Sequence, residues 1–461
     1  MKPSKKLVAL ILALLCCLSL VACAAAPAPA PTESNPTQSA SAQNPSADES
    51  SDKVKLSVVM LGYNDTQIEA AQSKDGGPVN SDLYYMTNRE KAEATYANID
   101  FEWNDWGWAE TLDQKQRAAI AAGNPPSCIA GESFIPTYAN SGILQEIPAD
   151  VLEGVDPSFI AYGADGKPYA LAYKTSIFML FYNKDLMQKA GLDPEIAPQT
   201  WSEWQQMSEQ ITAAGAGEYW GGGVPSFPHN GGALRATPFF RQLGTDFGGN
   251  DVINLSDPNV QQVLAFIRTM DANFPAGLGN NSDEGPMWNA FEKKGEQNLA
   301  FAVNGTWQEA SALRNGVNLG VAPLPLPDEG GQIGNCLVGT VYIGVPVGVN
   351  EEETRAFWDF YKNICLSEEQ LQYWINESCV VPLRSMIEND ALYEGEGKAG
   401  LRVAVDALRS GTYSGQAAFV KNDSQIWEII NQQVLARVTM TQDPIDQICA
   451  QAQTQIEALL K

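Results

Sequence analysis

The sequence predicts an α/β protein of two lobes, and three observations carry the prediction. Strand and helix signals alternate from residue 54 onward. The body from Lys53 to Lys461 holds roughly 400 residues, more than one hydrophobic core accommodates. No apolar stretch within that body reaches membrane-spanning length. The first strand is expected at 54–61 (V-K-L-S-V-V-M-L), which alternates and then runs continuously apolar, as a strand buried on both faces does. There follow a helix at 84–98, a strand at 99–103, and a helix at 108–122 closed by Gly123 and the Pro125-Pro126 pair. A short strand at 127–130 comes next. That β-α-β-α-β order predicts a mostly parallel sheet flanked by helices.

Asp165-Gly166-Lys167 is a two-residue-turn signal leading through 169–173 into the long apolar strand 177–183. A helix at 184–190 ends at Gly191. Thr200 and Glu203 have capping-box spacing, each side chain placed to satisfy a free backbone N–H at a helix start. Asp257-Pro258 opens a helix with Val260, Val263, Leu264, Ile267 and Met270 on one face. Strands at 299–303, 319–322 and 338–345 alternate with helices. The C-terminal part is mainly helical, and its last helix starts at Asp443-Pro444. No internal repeat is present.

The N-terminus carries its own signals. Lys2, Lys5 and Lys6 precede an apolar run at 7–20 that is short for a membrane span and ends in small residues, the pattern of an export signal. L-V-A-C at 20–23 resembles a lipobox, which implies cleavage before Cys23 and acylation of that cysteine. The alternative is an ordinary signal peptide ending at Ala22 or Ala24. Residues 24–52 are Ala, Pro, Ser, Thr, Asn and Gln with almost no large apolar side chain, so they are expected to form a disordered tether. Such a tether separates its ends by about 30 Å.

Composition removes several function classes. The chain has 29 basic and 55 acidic residues and a net charge of −26, the wrong sign for nucleic acid. Within the body, Cys128, Cys336, Cys365, Cys379 and Cys449 are widely spaced and odd in number, a poor disulfide framework and a poor zinc site. Either one bridge, Cys365 to Cys379, forms, or the thiols are buried and free. The sole histidine, His229, reads as a solvated loop residue and offers no His pair for a metal.

Several segments, in order, resemble the family 1 extracellular solute-binding proteins of the maltose- and glycerol-phosphate-binding type. A-A-G-N-P-P-S-C-I-A (121–130) is similar to their helix-end, Pro-Pro and strand signature, with Ser127 where the family usually has Asp. D-G-K-P-Y-A-L-A-Y-K-T-S-I-F-M-L-F-Y-N-K-D-L (165–186) resembles their most recognisable stretch, followed by A-G-L-D-P and P-Q-T-W-S-E-W. F-A-V-N-G-T-W (301–307) with N-L-G-V-A-P-L-P (318–325) resembles the segment whose tryptophan closes over a sugar, and Trp427 lies in a helix of matching spacing. The resemblance covers essentially the whole body. It implies a two-lobed periplasmic-binding-protein-like fold: a signal peptide at 1–22, lipidated Cys23 and tether at 23–53, one lobe at 54–175 and 340–382, the other at 176–339 and 383–461. It further implies a monomer without cofactor or metal. Such a protein takes a mono- or oligosaccharide into the interlobe cleft by hinge closure, delivers it to ABC permease subunits, and touches the membrane through its lipid anchor alone.

Ligands in open α/β sheets sit beyond strand ends, which selects the candidate contacts. Tyr63 and Asn64 follow the first strand, and Glu132 and Ser133 the third, where a carboxylate takes two hydroxyls or else caps the next helix. Thr175, Ser176, Gly339 and Thr340 sit at the expected crossings between lobes. Trp220 precedes Gly221-Gly222-Gly223. Trp307 and Trp427 match the family's sugar-facing positions. The glycine run at 221–223 and G-E-G-K-A at 395–399 lack phosphate-loop spacing, and N-N-S-D-E-G at 280–285 lacks the EF-hand register. The readings left open beside a carbohydrate are a phosphorylated polyol, a polyamine or a peptide on the same scaffold, and a surface glycosidase using paired carboxylates. Among the cleft-side candidates only Lys174 lies near enough to hold a phosphate, which favours a neutral sugar.

Overall fold

Ten strands organise the described chain: β1 (Val54–Val58), β2 (Ile99–Trp103), β3 (Ile129–Gly131), β4 (Ile160–Tyr162), β5 (Pro168–Ala172), β6 (Ser176–Asn183), β7 (Phe301–Gly305), β8 (Leu319–Ala322), β9 (Leu337–Val338) and β10 (Tyr342–Gly344). The computed structural model describes residues 53–74, 76–132, 134–245, 253–415, 419 and 422–461. These fall in one unit, 51–461. The signal peptide, Cys23, the tether and Ser133 lie outside the described residues. No described helix is long and apolar enough to cross a membrane.

β1 and β2 form a parallel pair in register Val54↔Ile99 through Val58↔Trp103, and Val58 also bridges Cys128 in parallel. The other sheets depart from the expected parallel arrangement. One has the order β3-β10-β5-β4 and the other β7-β6-β8, with β9 on β6, and every ladder in both is antiparallel. The reason lies in the connections. β10 returns from a distant part of the chain to sit between β3 and β5, and β7 and β8 flank β6 from opposite sides. Alternation along the sequence shows which segments are strands but not which distant segment pairs with them.

The sheets serve two apolar clusters, which gives the two-lobed α/β architecture. β6 is buried at all eight positions. Ile177, Met179 and Phe181 point into one cluster, and Phe178, Leu180 and Tyr182 into the other, as the two-residue period of a strand dictates. The second cluster is completed by the helices Asn230–Gln242, Pro258–Asp271 and Ile445–Leu460.

Local chemistry fixes the helix ends. The capping box at Thr200 is present: Thr200 Oγ1 accepts from Glu203 N (3.2 Å) and the Glu203 carboxylate accepts from Thr200 N (3.3 Å). Asp257 caps its helix through Asn259 N at 2.8 Å. The strand expected at 338–345 is broken into β9 and β10, with Gly339 at φ +60° in the break. Cys128, Cys365, Cys379 and Cys449 are buried free thiols, so no Cys365–Cys379 bridge forms.

Candidate functional site

A cavity of about 220 Å³ opens where four chain segments meet. β3 ends at Gly131, and Glu132 and Phe134 follow it into the wall. Trp108, at the start of the Ala109–Ala121 helix, is 43% exposed and presents its ring at the rim. His229 and Asn230 open the Asn230–Gln242 helix. Asp423, Trp427 and Asn431 come from the Asp423–Ile429 helix and its continuation.

Local hydrogen bonds hold several of the wall groups in place. His229 Nδ1 accepts from Gly231 N (3.2 Å), capping its helix, and its ring lies 5.1 Å from Phe227 at 6°. Burial holds this imidazole below its usual range. The solvated-loop expectation is therefore corrected: His229 is a half-buried cap on the cavity wall. Trp427 Nε1 donates to Asp423 Oδ1 (3.1 Å). Asn431 lies in a π-helical stretch (Ile430–Ala436), an irregularity common at functional sites. Its amide donates to Trp427 O (2.7 Å) and accepts from Ala233 N (2.8 Å), tying two walls together.

Glu132 is the electrostatic centre of the site. Burial pushes its carboxyl up to about 7, with Lys174 and Arg235 pulling it back. Both cations are engaged elsewhere. Lys174 Nζ donates to Gly339 O (2.9 Å) and rides 5.7 Å from the Trp307 ring and 5.1 Å from Trp374. Arg235 is buried, donates to Gly231 O (2.8 Å) and Asn304 Oδ1 (3.0 Å), pairs with Glu284 (2.8 Å), and stacks 4.9 Å from Trp288.

The predicted residues divide into three groups. Glu132 and Trp427 meet in the cavity. Thr175, Ser176, Gly339, Thr340 and Trp307 gather at the crossing of the two sheets. There the hydroxyls bind each other, Thr175 to Thr340 at 2.6 Å and Ser176 to Thr306 at 2.7 Å. Trp307 packs on the bare faces of Gly305 and Gly339, its ring 2.1 Å and 2.8 Å from where their Cβ atoms would be. The third group lies elsewhere. Tyr63 is a core residue, its hydroxyl bonded by Asn88 Nδ2 (2.9 Å) and its ring stacked on Trp103 at 5.3 Å. Asn64 is a helix cap, accepting from Gln67 N at 3.0 Å. Trp220 is strand-like, its N–H bonded to Asn298 O and its carbonyl accepting from Ala300 N.

Sequence reasoning passed over Trp108, Asn431 and Arg235 as site residues. Trp108 was legible as a helix start but not as a rim. A polar residue inside a helix, such as Asn431, carries no signal until its facing wall is known. Among the described residues no group of three or more His, Cys, Asp or Glu side chains is placed to hold a metal.

Comparison with known proteins agrees with this architecture. The sn-glycerol-3-phosphate-binding periplasmic protein UgpB of Brucella melitensis is 25% identical over 234 residues, 48% of this chain. The chain spans about half the length of that curated relative, 50%. Maltose-bound MalE3 of T. maritima superimposes with a TM-score of 0.68 at 17% identity, over 88% of this chain and 99% of that one. UgpB from Mycobacterium tuberculosis, in complex with glycerophosphocholine, gives a TM-score of 0.64 at 18% identity, over 82% of this chain and 95% of that one. At these identities the solved structures establish the shared fold. The family model for the bacterial extracellular solute-binding proteins matches residues 78–363, well over half of the chain, and this protein belongs to that family.

Proposed function

We propose that the protein captures a carbohydrate in the cavity between its lobes, closes on it by hinge motion without breaking a covalent bond, and delivers it to ABC permease subunits. The reading includes a monomer held at the outer face of the cell membrane by lipidated Cys23, with lobes at 54–175 plus 340–382 and 176–339 plus 383–461. The supporting observation is the chemistry of the cavity wall. Trp108, Phe134 and Trp427 supply apolar faces for sugar C–H groups, while Glu132, Asn230 and Gln432 supply hydroxyl partners. Among the described lining residues there is no lysine or arginine, the side chains that hold a phosphate in bidentate or point-charge fashion. A cavity of about 220 Å³ suits a mono- or disaccharide better than a long chain.

The curated relative's name supports a second reading, a phosphorylated polyol. Lys174 and Arg235 near Glu132 are the groups it would use. Arg235 already carries Glu284, which weighs against it. Titration calorimetry with maltose, mannobiose, tagatose and sn-glycerol 3-phosphate separates the two. The expected result is sugar binding near micromolar Kd, about −8 kcal/mol. Binding of the phosphate ester alone overturns the carbohydrate reading, and steady release of cleaved sugar overturns the non-enzymatic one.

A further inference from the structure

The cavity wall holds one carboxyl group that has no side-chain partner among the described residues. Among the described residues, no hydrogen bond or ion pair reaches the carboxylate oxygens of Glu132; only its backbone carbonyl is engaged, by Ile135 N at 3.2 Å. The other ionisable groups around the cavity are committed. Lys174 is taken by Gly339 O and two indole faces, and Arg235 by Glu284, Asn304 and Gly231. From the facing helix, Asp423 accepts from Trp427 Nε1 and Phe419 N, and Glu428 from Gln432 Nε2 at 3.2 Å. His229 accepts from Gly231 N, and Glu284 accepts from Trp288 Nε1. A partly shielded carboxyl beside two engaged cations, facing a cavity, is open to donors that a solute brings.

We propose that Glu132 makes solute capture proton-linked: in the empty cavity it carries a proton, and it releases that proton to solvent when hydroxyl groups of the bound solute donate to its oxygens. The inference rests on the carbohydrate reading, because it needs a ligand rich in hydroxyl donors. Its direction follows from elementary electrostatics. Burial disfavours the ionised form in the empty site and sets the carboxyl at about 7. Hydrogen bonds donated to a carboxylate favour the ionised form, so the bound state titrates lower. Linkage then requires affinity to rise with pH, by up to about tenfold per unit below pH 7, and to level off above it. His229 stands on the same wall, where burial favours its neutral form.

The test is calorimetry of maltose, mannobiose and tagatose at pH 7 in two buffers of different ionisation enthalpy, repeated between pH 5.5 and 8. The expected result is release of about half a proton per bound sugar at pH 7, from a group half protonated there. Glu132→Gln is expected to bind more weakly, with no proton release and an affinity flat in pH. An infrared band of a protonated carboxyl in the ligand-free protein at pH 6, absent from Glu132→Gln, reports the same group without any ligand. Sugar binding with no proton exchange and no pH dependence overturns the inference and leaves the carbohydrate reading standing. Failure of every sugar to bind removes the reading and the inference together.

Discussion

Replacing Tyr63 by alanine tests whether the first strand feeds a core or a cleft. The ring is 1% exposed, stacks on Trp103 at 5.3 Å and meets Tyr85 edge-on at 5.2 Å. Truncating a fully buried aromatic to alanine costs about 3–5 kcal/mol in lost transfer and cavity terms. The hydroxyl adds to this. Asn88 Nδ2 donates to it, and Asn88 Oδ1 is already buried without a partner, so the variant leaves the whole amide unsatisfied. That adds about 1–3 kcal/mol. With an unfolding entropy of about 2.1 cal/mol/K per residue over roughly 400 residues, a loss of about 5 kcal/mol lowers Tm by about 6 °C. Tyr63→Phe keeps the ring and strands only the amide, so its drop should be about 1–4 °C. Scanning calorimetry on the ligand-free protein gives Tm, and solute titration below it gives affinity. A melting point within 1 °C of the parent, together with a tenfold loss of affinity, would show that Tyr63 faces the solute after all.

Three further outcomes follow from the geometry. Trp108→Ala should weaken sugar binding about fivefold, the equivalent of about 1 kcal/mol of aromatic contact, with Tm nearly unchanged because the ring is already half exposed; unaltered affinity would remove Trp108 from the site. Gly305→Ala places a methyl 2.1 Å from the Trp307 ring, so the indole must shift by more than 1 Å, an overpacking strain of about 1–3 kcal/mol visible in urea unfolding; a neutral result means that Trp307 has another resting place. Burial pushes the thiols of Cys365 up to about 12 and Cys379 up to about 11, and that of Cys128 higher still. Maleimide at pH 8, mapped by mass spectrometry, should leave all three unlabelled in the folded protein, and rapid labelling of any of them contradicts its placement.

Local signals in the sequence were read faithfully by the fold, and distant ones were not. Thr200-x-x-Glu203, Asp257-Pro258 and the apolar run at 177–183 each specify their element through bonds to near neighbours, and all three appear where expected. The direction of strand pairing was not legible, because β10 joins β3 and β5 from about 170 residues or more away. The site divides along the same line. Glu132 could be placed because a residue just past a strand end faces outward from the sheet. Tyr63 follows β1 by the same rule, yet its ring turns back onto Trp103, a neighbour contributed by another strand. Asn431 gave no clue, since its two partners come from its own helix and from the helix at 230–242, and only the folded chain shows them facing a cavity.

β6 is a partition shared by two apolar interiors, and this governs how the body comes apart. A slab of solvent cannot enter on one side without stripping contacts from Phe178, Leu180 and Tyr182, or on the other from Ile177, Met179 and Phe181. Losing either set exposes the strand whose hydrogen bonds support the other. The two halves are bound to melt together, so heating should give a single calorimetric peak whose van't Hoff and measured enthalpies agree.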